Sequence, residues 1–234
     1  MQFNPSSGVQ GLTHQIWYET GTDATSFPVA DITRILNIKL RKYGLLAWSL
    51  SNQWRPEDAN QTTLTFPTFD LVDGQEDYAL PTTVFDINAI SVKDSGGLFS
   101  RLTYFDVNTL DVSLAEWNKT KGIPRFYTLI GQTLILKPAP SATEVTLTGG
   151  MELDVARDIS EIAITDSTKE LGFPTIIQPL FTYEVASEFP ALDEKKEAKI
   201  LNELAQWRQL FTAYYTKKGK EIKKRITVRK TNLE

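Results

Sequence analysis

The chain contains one histidine, His14, and no cysteine, so the residue types that most often ligate transition metals or act as base or thiolate nucleophile are almost missing. A hydrolytic triad, a histidine-rich metal site or a histidine general base would all have to depend on His14, which lies in a polar N-terminal stretch and is read as a bystander. No GxGxxG, GxxxxGK[ST] or HExxH motif is present. The 29 acids offer many pairs for two-carboxylate chemistry, but none stands out. In the acid-rich run Asp70-Leu71-Val72-Asp73-Gly74-Gln75-Glu76-Asp77 the carboxylates miss the EF-hand spacing, which leaves a solvated turn. The residues therefore predict neither an enzyme nor a cofactor or metal site.

What remains is electrostatic. Residues 217–234 carry eight basic side chains, Lys217, Lys218, Lys220, Lys223, Lys224, Arg225, Arg229 and Lys230, against two acids, Glu221 and Glu234. The other 216 residues hold 17 basic and 27 acidic side chains, so an acidic body ends in a basic tail. The tail could anchor on an acidic protein surface, with Ile222, Ile226 and Val228 adding apolar grip. It could contact nucleic-acid phosphates without reading sequence, or be a frayed, solvated terminus.

The elements that would hold such a tail follow from periodicity. Residues 1–25 are polar and rich in Gly, Ser and Thr, with Ile16-Trp17-Tyr18 as the only apolar cluster, and predict an arm that is loosely structured or docked on a partner. From Ser26, a possible cap, Val29, Ile32, Leu36, Leu40, Tyr43, Ala47 and Leu50 form one helical stripe, with Arg34, Arg41 and Lys42 off it as a solvated face. A short strand is expected at 62–66. Tyr78–Val92 reads as the entry to a sheet whose strand runs from Phe85, with Pro81 at its start, and Leu98–Phe105 should return antiparallel. Arg125–Ile130, Gly131-Gln132 and Thr133–Lys137 form the clearest hairpin, and Thr143–Thr148 alternates as a further strand. Residues 153–173 read as partly extended. Helical spacing returns at Ile177, Leu180, Phe181, Val185 and Phe189, then at Leu192, Ile200, Leu201, Leu204, Trp207, Phe211 and Tyr214. The fold class predicted is α+β. Helices at 26–61 and 174–216 form a bundle with an antiparallel β-domain, a sheet or small sandwich, inserted at 62–173. Neither a standard export signal nor a membrane span is found.

Several short motifs then stand in a telling order. A leading helix, Gln75-x-x-Tyr78-x-Leu80-Pro81 at a strand entry, Gly122-x-Pro124-x-x-Tyr127, Leu134-x-Leu136-x-Pro138-x-Pro140 and closing helices resemble the head-to-tail adaptor, or neck ring, proteins of tailed bacteriophages over roughly residues 26–216. The resemblance implies a virion structural protein, assembled in the host cytoplasm, that forms a dodecameric ring under the portal. It would extend the DNA channel used in ejection and dock the next neck or tail protein. DNA would pass through the lumen without specific binding, repelled by the acidic body, while residues 217–234 grip the portal. Two other classes stay open. One is a glycan- or protein-binding β-module with Tyr104, Trp117 or Tyr127 as an aromatic platform; the other is a DNA-binding structural protein acting through the tail.

Overall fold

A computed structural model describes residues 1–4, 11–51, 68–106 and 121–231, with side chains as far as Lys220. The chain divides into two compact units, residues 1–62 with 158–234, and residues 63–157.

The first unit is helical: α1 (Leu12–Thr20), α2 (Val29–Ser51), α3 (Pro179–Ala186) and α4 (Glu194–Thr231). The α2 stripe of Ile32, Leu36, Leu40, Tyr43 and Ala47 is buried, and its core is completed by Leu180, Phe181 and Val185 of α3 and Leu204, Phe211 and Tyr215 of α4. Tyr43 sets its ring edge against Phe181 and Phe211, with centroids 5.6 and 4.9 Å apart, the geometry that aromatic quadrupoles favour. Ser26 does not cap α2. Its hydroxyl donates to the Asp23 carboxylate at 2.7 Å in the preceding turn, and the helix starts after Pro28, whose carbonyl accepts from Asp31 and Ile32. Leu201, assigned by spacing to the core, is 49% exposed.

Two expectations are corrected in this unit. The described residues of the 1–25 arm pack on the chain's own core: Phe3, Leu12 and Ile16 are fully buried, Phe3 N–H donates to Lys169 O, and Trp17 Nε1 donates to Phe27 O at 2.9 Å. The burial was masked because these apolar residues stand apart among polar ones. Residues 158–173, placed by the sequence in the β-domain, also belong here, with Ile159, Ile162, Leu171 and Phe173 in the helical core. Asn37 of α2 holds this segment in place, donating to Ile162 O and accepting from Ile162 N–H, both at 3.0 Å.

The second unit contains β1 (Thr68–Phe69), β2 (Asp77–Ala79), β3 (Val84–Lys93), β4 (Phe99–Arg101), β5 (Thr103–Tyr104), β6 (Lys121–Gly122), β7 (Phe126–Ile130), β8 (Thr133–Lys137), β9 (Ala139–Pro140) and β10 (Met151–Arg157). One sheet has the order β1-β10-β3-β4 and a second β2-β8-β7-β5, while β6 and β9 pair in parallel. One core is filled from both sheets, by Ile90, Val92, Met151, Leu153 and Val155 from the first and Tyr78, Tyr127, Leu134 and Leu136 from the second. This is a small sandwich, mostly antiparallel, with β5–β7 parallel. The predicted hairpin is β7–β8, and Gly131 supplies the positive φ of 59° that its two-residue turn requires.

Tyr78–Val92 is not one strand. β2 lies in the second sheet and β3 in the first, so Leu80-Pro81 carries the chain from one sheet to the other. Residues 143–148 form a turn with a single bridge from Val145 to Asp94, and the strand is β10, whose partner is β3. The expected strand at 62–66 lies outside the described residues.

Candidate interaction surfaces

The most concentrated polar chemistry is buried in the helical unit. Glu184 sits in the apolar run of α3 and is fully buried. Its Oε1 accepts from the Tyr43 hydroxyl of α2 and from Arg208 of α4, where Nε and Nη2 each stand at 2.7 Å. Lys39 Nζ lies 3.2 Å from Oε2 and 2.5 Å from Glu188. Burial pushes the Glu184 carboxyl up, but the hydrogen bonds from Tyr43 and Arg208 and the adjacent cations outweigh it and hold it below the usual carboxylate range. Burial raises the Tyr43 hydroxyl, so it stays a donor. The cluster ties three helices together.

In the β-unit the acid-rich loop is pinned rather than freely solvated. Asp73 pairs with Lys121 at 2.7 Å and accepts from Ala142 N–H; Asp70 accepts from Gly149 N–H; Glu76 pairs with the buried Lys137. The Tyr78 hydroxyl donates to Gln75 O at 3.0 Å and accepts from Val72 N–H at 3.1 Å, which gives Gln75-x-x-Tyr78 a structural task. No group of three or more His, Cys, Asp or Glu among the described residues could hold a metal.

Of the ten residues assigned to the basic tail site, Lys217, Lys218 and Lys220 are exposed on α4, and Lys218 Nζ lies 4.8 Å over the Tyr214 ring. Lys223, Lys224, Arg225, Ile226, Val228, Arg229 and Lys230 continue the same helix. Residues 217–220 are part of the helical unit rather than a separate tail, because Gly219 is buried against the end of α2. A Cβ at that position would stand 2.7 Å from Leu50 O. Glycine inside a helix normally forfeits about 1 kcal/mol relative to alanine. Gly219→Ala is therefore expected to reverse sign and destabilise by about 1–2 kcal/mol, because the backbone contact must open. Urea unfolding of the two proteins checks this; a stabilised variant would show that α4 and α2 are not in close contact there.

Side chains that sequence spacing had not singled out form the outward surfaces. Ile38 and Leu45, one face of α2, are more than half exposed, as is Leu210 of α4. Between Ile200 and Thr216 the only charges on α4 are Glu203 and Arg208. Their signal was available: these are apolar residues off the core stripe. The described members of the expected aromatic platform differ in exposure. Tyr127 is buried, Tyr104 is exposed and meets it edge-on at 5.5 Å, and Trp117 lies outside the described residues. His14 is exposed on α1, edge-on to Trp17. No described helix is long and apolar enough to cross a membrane.

Two units with apolar side chains turned outward, and polar chemistry spent on holding helices and a loop, define an α+β structural protein of the kind that works as part of an assembly. A family model described as SU10 adaptor protein matches residues 44–230, and the chain belongs to that family. It is a bacteriophage adaptor, a structural component of the virion. No curated protein matches the chain.

Proposed function

We propose that the protein closes into a ring beneath the portal, most simply a dodecamer, that continues the DNA channel and docks the next neck or tail component. The end of α4 after Lys220 is the portal anchor in this reading. The observation that carries it is the charge distribution: an acidic chain gathers eight of its 25 basic residues in its last 18 positions, five of them after Lys220 on the extension of one helix. An acidic body repels DNA phosphates and lets a duplex slide, whereas the basic end suits an acidic protein surface. Exposed Ile38, Leu45, Leu201 and Leu210 suit contacts between neighbouring copies.

The test is removal of residues 221–234, which spares Gly219 and its packing. The truncated protein is expected to fold, with the urea unfolding of the helical unit retained. Attachment to portal-bearing heads should be lost. Undiminished attachment would sink the anchor assignment, and duplex binding that falls steeply with salt and vanishes on truncation would move it to DNA phosphates.

A further inference from the structure

β4 is an open edge. In its ladder with β3 the backbone of Leu98, Ser100 and Leu102 faces inward: Asp94 N–H donates to Leu98 O at 3.0 Å, Ser100 lies opposite Val92, and Leu102 N–H donates to Ile90 O at 2.8 Å. Strand alternation then turns the N–H and C=O of Phe99 and Arg101 away from β3. None of these four groups has a partner among the described residues. Phe99, Ser100 and Arg101 are all exposed, with Phe99 at 44% and the adjoining Leu98 at 71%. Edge strands are normally blunted by proline, a bulge or a cover, and this one carries no proline or bulge.

We propose that β4 receives an extended segment of a partner protein as an added strand, a segment bearing apolar residues and at least one carboxylate. Unpaired main-chain groups supply the register and exposed Leu98 and Phe99 the apolar contact, as in strand addition generally. The carboxylate follows from charge. Lys93, its Nζ 5.6 Å from the Phe99 ring, and Arg101, which donates to Asn88 O at 3.0 Å, place two cations along this edge. Asp94, at the turn of this hairpin, is committed to the hairpin itself, accepting from Leu98 N–H. Two copies pairing edge to edge through β4 would bring two Lys93 and two Arg101 side chains to one seam, which like-charge proximity disfavours.

The partner's identity as the next neck or tail component rests on the ring reading above; the edge itself rests on geometry. The test compares amide exchange of the full chain alone with that of the chain in completed particles, together with complementation of adaptor-deficient heads by purified variants. Phe99 and Arg101 amides should exchange freely in the isolated chain and be slowed at least about 100-fold in particles, as for a newly formed ladder. Phe99→Pro, which removes an outward N–H and the exposed ring but no hydrogen bond to β3, and Arg101→Glu should each lower yields of infectious particles about tenfold or more while leaving unfolding unchanged. Unslowed amides in particles, or wild-type yields from both variants, would overturn the strand addition. Slowing that grows with the concentration of the isolated chain would overturn it in favour of self-association. If the unaltered chain fails to enter particles, the ring reading fails first, and the inferred partner with it.

Discussion

Replacing Glu184 by alanine is expected to destabilise the helical unit by about 3 kcal/mol, the lower end of the range for breaking a buried ion pair. The lower end applies because the stranded partners are unequal. Arg208 is 50% exposed and can turn to water, and Lys39 keeps Glu188, but the Tyr43 hydroxyl stays buried with its acceptor gone. Glu184→Gln retains the shape and removes the charge, and should cost less. The pH dependence has a definite sign. Because the folded carboxyl lies below its ordinary value of 4.5, its contribution is complete above that pH and is lost as pH falls towards the folded value. The gap between the natural protein and Glu184→Gln should therefore be full at neutral pH and close in acid. Urea unfolding followed by helical circular dichroism at both pH values checks this; a gap that widens in acid would refute the assignment.

The largest effect in the β-unit belongs to Gly150→Ala. A Cβ there would stand 1.7 Å from Thr146 O and 2.9 Å from its carbonyl carbon, inside any permissible contact, and neither atom is a movable side-chain tip. Gly150 O also accepts from Lys93 N–H at 2.8 Å, at the start of the β10–β3 ladder, so relieving the clash strains the pairing that centres the first sheet. A loss of about 3 kcal/mol or more is expected, at the top of the range for overpacking. Gly149→Ala is the control. Its cost comes from a φ of 60° alone, with nothing within 4 Å, and should be about 1–2 kcal/mol. Amide protection in β3 and β10 distinguishes the two; equal losses would place the constraint in backbone conformation instead.

Legibility in the sequence followed the range of the physical signal. The α2 stripe is local and repeats over six turns, and the hairpin at 126–137 is written by alternation and a turn glycine, so both were readable from neighbours alone. The helix α1 was missed because its N-cap, Gly11, makes no side-chain bond and its burial depends on Phe3 and on Lys169, far along the chain. β10 alternates through Met151, Leu153 and Val155 as clearly as residues 143–148 do. Only its pairing with β3, some sixty residues earlier, decides between them. Glu184 could not have been found, since a lone acid in an apolar helix gains sense only from Tyr43 and Arg208. The basic run was conspicuous, but its boundary at 217 cut through a helix because nothing in Lys-Gly-Lys reveals the carbonyl of Leu50 behind Gly219.

The discontinuity of the helical unit also sets an order of events at the ribosome. Residues 63–157 are contiguous, so the sandwich has all its strands while α3 and α4 are still untranslated. The apolar stripe of α2 has no such early partner: Phe181 arrives about 130 residues after it is made, and Phe211 and Tyr215 later still. During that interval Ile32, Leu36 and Leu40 are sticky surface on a nascent chain. The completed sandwich shortens the effective separation between α2 and its partners, so its own folding becomes a step in assembling the bundle.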